Sequence, residues 1–578
     1  MSAKDHPAYG LELERCRYTL DYVEKALDLT LSKKEKIDKE VEWARRHVNS
    51  DSSQEYIDLM VNSLLQGSME LKIRNLLTAR SRPYFARVDF KENNENRVEN
   101  LYIGKMSLMR DEDQEIIIVD WRAPIANLYY EERLGEAGYH CPDGRIEGEM
   151  LLKRQFSIDK AELREIFDID ITTNDQFLQA YLGANADNRL KEIVSTIQVE
   201  QNRIVRADMW RPLIVQGVAG SGKTTIALHR IAYLIYTYEK SFDPESFMII
   251  APNRLFLNYI SEVLPELGVE RVRQTTFEDF AMDLIGRKFK VRDANEKLAL
   301  LIGRDNSPGK VKEREYVRRC SELKTSMAFR DLMDDYVRTI ESGLIPKDDF
   351  CIGRRIIFTY NEINNLLINE YRMWPVMQRL NEIKKNLNNA LMLQKEGIIN
   401  DLYDEYEKKI AGVKARVKDP DEKQKLISQL LSKRDQSIER VEAFCKTAVN
   451  TYMSKIPKVN PFDYYKRLFN DRELFCRLLD GKTDGSLIEF TWEYSNGIFK
   501  KGFIEIEDIA PIIYLKYCIY GMDEKIPVRH IVIDEAQDFS AFQLYVLKKI
   551  VKDSSFTILG DLCQGIHSYR GVRDWNDI

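Results

Sequence analysis

Residues 213–224 read Leu-Ile-Val-Gln-Gly-Val-Ala-Gly-Ser-Gly-Lys-Thr, an apolar run that leads into a glycine-rich loop. The loop fits the pattern GxxxxGK(S/T), and the helical stretch TIALHRIAYLIY follows it. A strand, a phosphate-binding loop and a helix in this order are typical of an α/β domain with a parallel sheet. The stretch therefore predicts a P-loop nucleotide-binding core rather than a purely structural glycine turn.

Each residue type in this loop suits phosphate binding. Glycines let backbone amides wrap the phosphates, and the helix N-terminus adds a positive dipole. Lys223 is expected to neutralise the β and γ phosphates, and the Thr224 hydroxyl to ligate Mg²⁺. We therefore predict ATP and Mg²⁺ as cofactors. The residues expected to contact the nucleotide are Gly217, Val218, Ala219, Gly220, Ser221, Gly222, Lys223, Thr224 and Thr225.

A second stretch, HIVIDEAQD at 530–538, is an apolar strand that ends in adjacent carboxylates. Ligands of an α/β sheet collect where its parallel strands end. Asp534 is predicted to hold Mg²⁺, and Glu535 to orient and deprotonate the attacking water. Taken alone, the stretch also fits a strand with a solvated acidic cap; the phosphate loop favours the catalytic interpretation.

Composition predicts a soluble, cytoplasmic, multidomain protein. The chain has 578 residues, of which 44% are hydrophobic and 31% charged, too long for one hydrophobic core. We find no apolar run of about 18 residues and no export signal. The eight cysteines form no CxxC pair, and the net charge of -6 does not favour tight, nonspecific DNA binding.

Hydrophobic periodicity divides the chain into five predicted parts. Residues 11–48 and about 56–80 alternate apolar and charged positions as amphipathic helices do, with a turn at 49–53. We predict an antiparallel coiled coil there, either a projecting arm or a buried pair, and a second hairpin at 371–456 that turns near Asp419-Pro420. The parts are the arm (1–82), a small β-rich module (83–150), the first part of the nucleotide-binding domain with lead-in helices (151–285), a helical insertion (286–500) and the remainder of that domain (501–578).

The DEAQD stretch behind a P-loop resembles superfamily 1 helicases of the UvrD type, which implies a RecA-like fold. The resemblance assigns adenine recognition to Gln201 in QNRIV and γ-phosphate sensing to Gln564 in GDLCQ. Tyr569 stands where an aromatic residue stacks on a nucleic-acid base, and core packing is an equally open interpretation. Gly565, His567 and Tyr569 replace the Ser, Tyr and Trp that these helicases favour.

Other segments resemble the HelD family, the RNA polymerase recycling motors of Gram-positive bacteria. They are Asp120-Trp121-Arg122-Ala123-Pro124-Ile125 with the following LYYE, APNRLFLNYISEVLPELG from Ala251, and EDIAPIIYLKY from Glu507. The resemblance covers essentially the whole chain. It implies that RNA polymerase core is the partner, that both arms enter polymerase channels, and that ATP is linked to release of nucleic acid or stalled polymerase.

The chain ends at Ile578, soon after the glutamine motif, whereas the family continues into a second RecA-like domain with further arginines. The chain alone is therefore expected to bind nucleotide and hydrolyse it poorly. Three functions stay open: ATP-driven polymerase remodelling, DNA unwinding on single strands, and polymerase binding without hydrolysis. Asp51 and Glu55 are either groups that approach the polymerase metal or part of a solvated turn.

Overall fold

The computed structural model describes residues 3–47, 53–169, 197–305, 307–353, 355–457, 459–522 and 526–577. The chain forms two compact units. The first comprises Met1–Thr276, Pro527–Ala536 and Ser554–Asp561, and the second comprises Phe277–Ile526, Gln537–Asp553 and Leu562–Ile578. Among the helices in these ranges, none combines the length and apolar character that crossing a bilayer requires.

The helices and strands have the following bounds. The helices are α1 (Tyr9–His47), α2 (Ser53–Ser81), α3 (Asn127–Glu131), α4 (Val199–Arg206), α5 (Lys223–Thr237), α6 (Arg254–Glu266), α7 (Phe277–Ile285), α8 (Ala294–Ile302), α9 (Pro308–Thr325), α10 (Met327–Ser342), α11 (Tyr360–Asn365), α12 (Val376–Arg416), α13 (Pro420–Ser454), α14 (Pro461–Asn470), α15 (Arg472–Leu479), α16 (Gly485–Lys500), α17 (Ile506–Tyr520) and α18 (Ala541–Ile550). The strands are β1 (Ala86–Glu92), β2 (Glu99–Gly104), β3 (Leu108–Met109), β4 (Ile116–Asp120), β5 (Gly135–Cys141), β6 (Gly144–Asp159), β7 (Glu162–Asp168), β8 (Leu213–Gln216), β9 (Phe247–Ala251), β10 (Arg273–Thr276), β11 (Lys290–Val291), β12 (Phe350–Ile352), β13 (Arg355–Phe358), β14 (Phe503–Ile504), β15 (His530–Ile533) and β16 (Ser555–Gly560).

In the first unit, α1 and α2 form an antiparallel hairpin. Its register is set by polar pairs across the two helices: Lys34 lies 3.3 Å from Glu70, and the Gln66 amide donates to Asp38 at 2.7 Å. Residues 48–52, which hold Asp51 and most of the predicted turn, lie outside the described part of the chain, as does the side chain of Glu55.

The two halves of this hairpin differ in burial. The base is packed into the adjoining sheet, since Val23, Leu27, Leu76 and Ala79 share a core cluster with residues of β3 and β4. The distal half comprises residues 31–46 of α1 and 57–75 of α2. Among the side chains described in these two ranges, Val41 alone is buried. The alternatives of projecting arm and buried pair therefore apply to different halves of the same hairpin.

The sheet beside the hairpin has strand order β3-β4-β2-β1-β6-β5, with β7 paired to β6. The predicted module boundary at residue 150 is wrong, because it falls inside β6 and the sheet continues to Asp168. The sequence did not indicate this part of the strand, because its charged residues suggest an exposed segment. Their ion-pair partners belong to other elements of the structure. The buried Arg154 pairs with Glu12 of α1 at 2.7 Å and with Asp168.

Five parallel strands form the second sheet of this unit, in the order β10-β9-β15-β16-β8. Every residue of β9 and β15 is buried, as expected for strands covered on both faces. One core cluster joins α5 and the parallel strands to β1, β2 and β4 of the other sheet. The predicted fold class, a parallel α/β core with an N-terminal helical hairpin, is confirmed.

The second unit is mainly helical, and its longest elements are α12 and α13. Asp419 caps the N-terminus of α13 through a hydrogen bond from the Asp421 amide, and Pro420 begins the helix. The second hairpin therefore turns where the sequence predicts. Lys395 and Glu442 bridge its two helices at 2.9 Å.

Candidate nucleotide site

The predicted phosphate loop joins β8 to α5 in the first unit. Gly220 and Gly222 have φ values of +74° and +81°, left-handed conformations that side chains disfavour. A Cβ at Gly217 would lie 2.6 Å from Oγ of Ser221, so any other residue here would require the Ser221 side chain to move. Val218 is 70% exposed. The glycines thus shape a tight loop whose outer side is open to solvent.

Lys223 begins α5 and turns its ammonium group back under the loop. Its Nζ donates to the carbonyl oxygens of Gly217 at 2.9 Å and Val218 at 3.3 Å. The Oγ of Ser221 is buried without a hydrogen-bond partner among the described residues. Buried hydroxyls are normally hydrogen-bonded, so Ser221 has capacity left for a ligand oxygen. A cation, this hydroxyl and the N-terminal amides of α5 together fit a phosphate group.

Thr224 and Asp534 form the candidate metal pair. Oγ1 of Thr224 donates to Oδ2 of Asp534 at 2.6 Å. Asp534 follows β15 and is 1% exposed, and its burial raises the pKa of the carboxyl group, while the Thr224 hydrogen bond opposes that rise. Hydroxyl and carboxylate oxygens are the ligand types of Mg²⁺, which keeps several waters and phosphate oxygens. The pair therefore fits a Mg²⁺ ion shared with a nucleotide.

Glu535 stands next to this pair in a strained conformation. Its φ is +51°, in the left-handed region that residues other than glycine rarely adopt. The strain is offset locally, since its backbone amide donates to Oδ1 of Asp534 at 3.0 Å. Backbone strain of this kind clusters at functional sites, where it aims a side chain. The general-base role of Glu535 stays a prediction, and its position beside Asp534 is consistent with that role.

Gln201 lies beside the phosphate loop on α4. Its Oε1 accepts from the Gln198 amide at 3.1 Å, which caps the helix, and its Nε2 donates to the Ser221 carbonyl at 3.3 Å. The structure thus brings Gln201 together with residues 217–224, Asp534 and Glu535 in the first unit. Its proposed recognition of adenine stays a prediction.

Gln564 and Tyr569 belong to the second unit. Gln564 ends a short 3-10 helix, Leu562–Gln564, and is exposed, so its γ-phosphate role stays a prediction. Tyr569 is 4% exposed, its hydroxyl lies 3.2 Å from Nδ1 of His567, and its ring faces Lys297. A ring that is 4% exposed has too little accessible surface to stack on a base, so the core-packing interpretation is favoured over base stacking.

Sequence reasoning missed several polar residues around the loop. Asp561 follows β16, is 3% exposed and accepts a hydrogen bond from the side-chain amide of Gln216 at the end of β8. Arg230 of α5 is fully buried and donates to the carbonyls of Ile204 and Ala207 at the end of α4. Asp561 was detectable as a carboxylate at a strand end. Arg230 was not, since its hydrogen-bond partners among the described residues are backbone oxygens and the Thr557 hydroxyl.

The comparisons with known proteins agree with this geometry. Residues 197–574 match the N-terminal domain of UvrD/REP helicases. The chain belongs to the UvrD/REP helicase family. Residues 15–180 match the N-terminal domain of DNA helicase IV HelD, so this family member is HelD-like in its first unit.

A curated UvrD/REP relative matches a shorter stretch. ATP-dependent DNA helicase Rep of Buchnera aphidicola subsp. Acyrthosiphon pisum (strain APS) is 28% identical over 158 residues. The match covers 25% of this chain and 23% of Rep, so the chain spans about a quarter of that relative. The protein thus has a helicase-like P-loop domain, and the family generally uses ATP with Mg²⁺ and binds nucleic acid.

Proposed function

We propose that this protein is an ATP-driven factor that remodels RNA polymerase, releasing stalled or nucleic-acid-bound enzyme. The observation that carries the proposal is the distal half of the α1–α2 hairpin, joined to a P-loop unit with a HelD-like N-terminal match. Within the proposal, nucleotide turnover in the first unit moves arms that occupy channels of the polymerase.

The distal half of the arm has the surface expected of a docking element. α1 has 39 residues and is about 58 Å long at 1.5 Å per residue. Far from its base the hairpin exposes apolar side chains, and contiguous apolar exposure marks interaction sites. These side chains are Leu31, Trp43, Ile57, Met60, Val61, Leu64 and Leu65, with exposed fractions from 44% to 65%.

The second hairpin has the same division into a packed base and an exposed end. Leu380, Ile383 and Leu387 of α12 are buried, whereas the described residues from 401 to 440 include no buried side chain. Long charged helices on an acidic protein favour insertion into a basic protein channel over tracking along DNA. Both hairpins thus support polymerase as the partner.

The nucleotide chemistry follows from the first unit. Lys223 and the amides of the loop hold the phosphates, and Thr224 with Asp534 orients Mg²⁺, which offsets charge on the phosphates when bound. Glu535 accepts the proton of the attacking water.

The test is an arm-shortened variant assayed against polymerase. Deleting residues 11–80 would remove Val23, Leu27 and Leu76 from the core, so the deletion is limited to 32–72, closed by a short glycine-containing turn. We expect polymerase capture to fall at least tenfold while the affinity for a fluorescent ATP analogue is unchanged. Unchanged capture would remove the arm from the mechanism.

A matched pair of point variants refines this test. Trp43 on the distal arm is 65% exposed, and Trp210, elsewhere in the first unit, is 51% exposed. Trp43→Ala is expected to weaken polymerase capture, and Trp210→Ala is not. Equal effects would indicate nonspecific adhesion of apolar surface.

A DNA helicase or translocase is the second candidate, favoured by the similarity to Rep. It predicts that single-stranded DNA binds more tightly than polymerase and that arm shortening leaves this binding unchanged. Filter binding of labelled single-stranded DNA, run beside the polymerase capture at the same salt, separates the two candidates.

A further inference from the structure

The segment 120–131 of the N-terminal sheet packs against α4, the helix that holds Gln201. It runs from the end of β4 through a short 3-10 helix into α3. Its tryptophan, Trp121, is 1% exposed, and Asp120 and Arg122 form a buried ion pair. The sequence marks this segment as distinctive, yet it includes none of the predicted nucleotide contacts.

Asn202 joins α4 to the second half of this segment. The side chain is fully buried. Its Nδ2 donates to Oδ1 of Asn127 at 2.7 Å and to Oε1 of Glu131 at 3.0 Å, so both amide hydrogens are used. Its Oδ1 accepts from Nε of Arg206 at 3.1 Å. A buried amide satisfied on both sides fixes the distance between α3 and α4.

Arg206 joins α4 to the first half of the segment. Its Nη2 donates to the Trp121 carbonyl at 2.7 Å, and its Nη1 donates to the Ala123 carbonyl at 3.3 Å. The guanidinium also lies over the ring of Tyr233 on α5, 5.0 Å from the centroid. Only a planar fork makes these contacts together, so lysine is not equivalent here.

The same short helix contacts the phosphate loop through Gln201, which donates to the Ser221 carbonyl at 3.3 Å. A second route runs through Trp121, whose ring lies 5.5 Å from that of His229 on α5. Burial lowers the pKa of His229 to about 4, so the imidazole is neutral and its Nδ1–H donates to the Thr225 carbonyl at 2.7 Å. Both routes end in the predicted nucleotide loop.

In the other direction, the segment leads to the base of the arm. β4 ends at Asp120, the first residue of the segment, and Ile117 and Ile118 of β4 share the core cluster that contains Val23 and Leu76. An unbroken chain of packed residues therefore connects the loop, α4, segment 120–131 and the two arm helices inside one compact unit.

We propose that Asn202 and Arg206 are positioning residues that couple nucleotide binding at the loop to segment 120–131 and the arm base. This inference rests on the proposed binding of nucleotide at residues 217–225. Binding that fixes the Ser221 carbonyl also fixes Gln201 and α4, and hence the segment. Coupling of this kind is reciprocal. If bound nucleotide changes the affinity of the arm for its partner by some factor, the bound partner changes the affinity for nucleotide by the same factor.

Hydrogen–deuterium exchange of the unmodified protein is the first test, with and without a nonhydrolysable ATP analogue. We expect slower exchange in peptides of the loop and of 120–131. Protection of the loop without protection of 120–131 refutes the coupling and leaves the proposed nucleotide site intact. No protection at either place refutes the nucleotide site itself.

Variants of α4 are the second test. Arg206→Ala is expected to weaken binding of the analogue about fivefold or more, which is a typical coupling factor. At saturating analogue, the variant should keep slow exchange in the loop and lose it in 120–131. Arg203→Ala, at an exposed arginine of the same helix, is the matched control and should behave as the unmodified protein. Arg206→Lys should be intermediate. If Arg206→Ala retains protection of 120–131, the positioning role is wrong; if it does not fold, the exchange experiment on the unmodified protein decides.

Discussion

The Thr224 hydroxyl donates a 2.6 Å hydrogen bond to Oδ2 of Asp534, joining residues that lie 310 positions apart in the chain. Thr224 follows the first residue of α5 and Asp534 follows β15, with β16 between β15 and β8 in the sheet. The candidate metal pair therefore exists only when the parallel sheet has assembled. Loss of the sheet and loss of Mg²⁺-dependent nucleotide binding should coincide on unfolding.

Lys223→Ala is expected to weaken ATP binding by about tenfold to a hundredfold, the range of one charge-assisted hydrogen bond. Within the described residues, its Nζ donates hydrogen bonds to the loop carbonyls of Gly217 and Val218 and to no strand of the parallel sheet, so the sheet should be unaffected. Calorimetry with an ATP analogue measures the affinity, and thermal unfolding checks the fold. Lys240→Ala, at an exposed position past α5, is the control. Unchanged affinity in Lys223→Ala would defeat the assignment of the loop.

Glu535→Gln is expected to keep ATP bound and to lower steady-state hydrolysis by about 10² to 10⁴, the usual contribution of a general base. Glutamine keeps the size of the side chain and the left-handed backbone at this position. Asp534→Asn is the contrasting variant, since it should weaken the dependence on Mg²⁺. Normal turnover by Glu535→Gln would mean that the base lies elsewhere.

His530 should make the parallel sheet acid-sensitive. The ring is fully buried between Oγ of Ser555 and Oγ1 of Thr557, and burial, followed by the charge of Arg230, lowers its pKa from 6.5 to about 3. Between pH 6.5 and 3 the histidine binds a proton in the unfolded chain and not in the folded protein. The stability that the neutral ring gives above pH 6.5 is therefore lost as the pH falls toward 3. Between pH 7 and 5 the loss is about 2 kcal/mol.

The comparison that isolates this effect uses His530→Gln, which cannot titrate. We expect the variant to be less stable at pH 7 and the difference to narrow by pH 5, where carboxylates are still largely ionised. Urea unfolding at pH 7, 6 and 5 measures it. If the free energy of unfolding changes with pH by the same amount in both proteins, the prediction is wrong.

Tyr569 separates core packing from base stacking. Tyr569→Ala is expected to lower the free energy of unfolding by about 3 kcal/mol, because it empties a packed site, and Tyr569→Phe by about 1 kcal/mol, through loss of the hydroxyl contact with His567. Single-stranded DNA affinity, measured by anisotropy at a temperature where both proteins are folded, should be equal in the unmodified protein and Tyr569→Ala. If Tyr569 instead stacks on a base, Tyr569→Ala should weaken DNA binding and leave the free energy of unfolding unchanged.

The phosphate loop, the acidic strand end and the two long hairpins were predictable from the sequence because each depends on local patterns. The spacing of Gly217, Gly222 and Lys223 determines the loop by itself, and Asp419-Pro420 determines the turn between α12 and α13. Periodicity of apolar residues determines which stretches are helical. The N-terminal and UvrD/REP matches confirm the family that these motifs indicate.

Only the tertiary structure decided what these elements pack against. In the continuation of β6, Arg154 forms ion pairs with Glu12 and Asp168, and Tyr569 is buried beside Lys297 and His567. The link from Arg206 to segment 120–131 uses backbone carbonyls, which every residue type supplies alike. Contacts of this kind leave no composition or spacing to read, because they arise when distant strands and helices meet in one core.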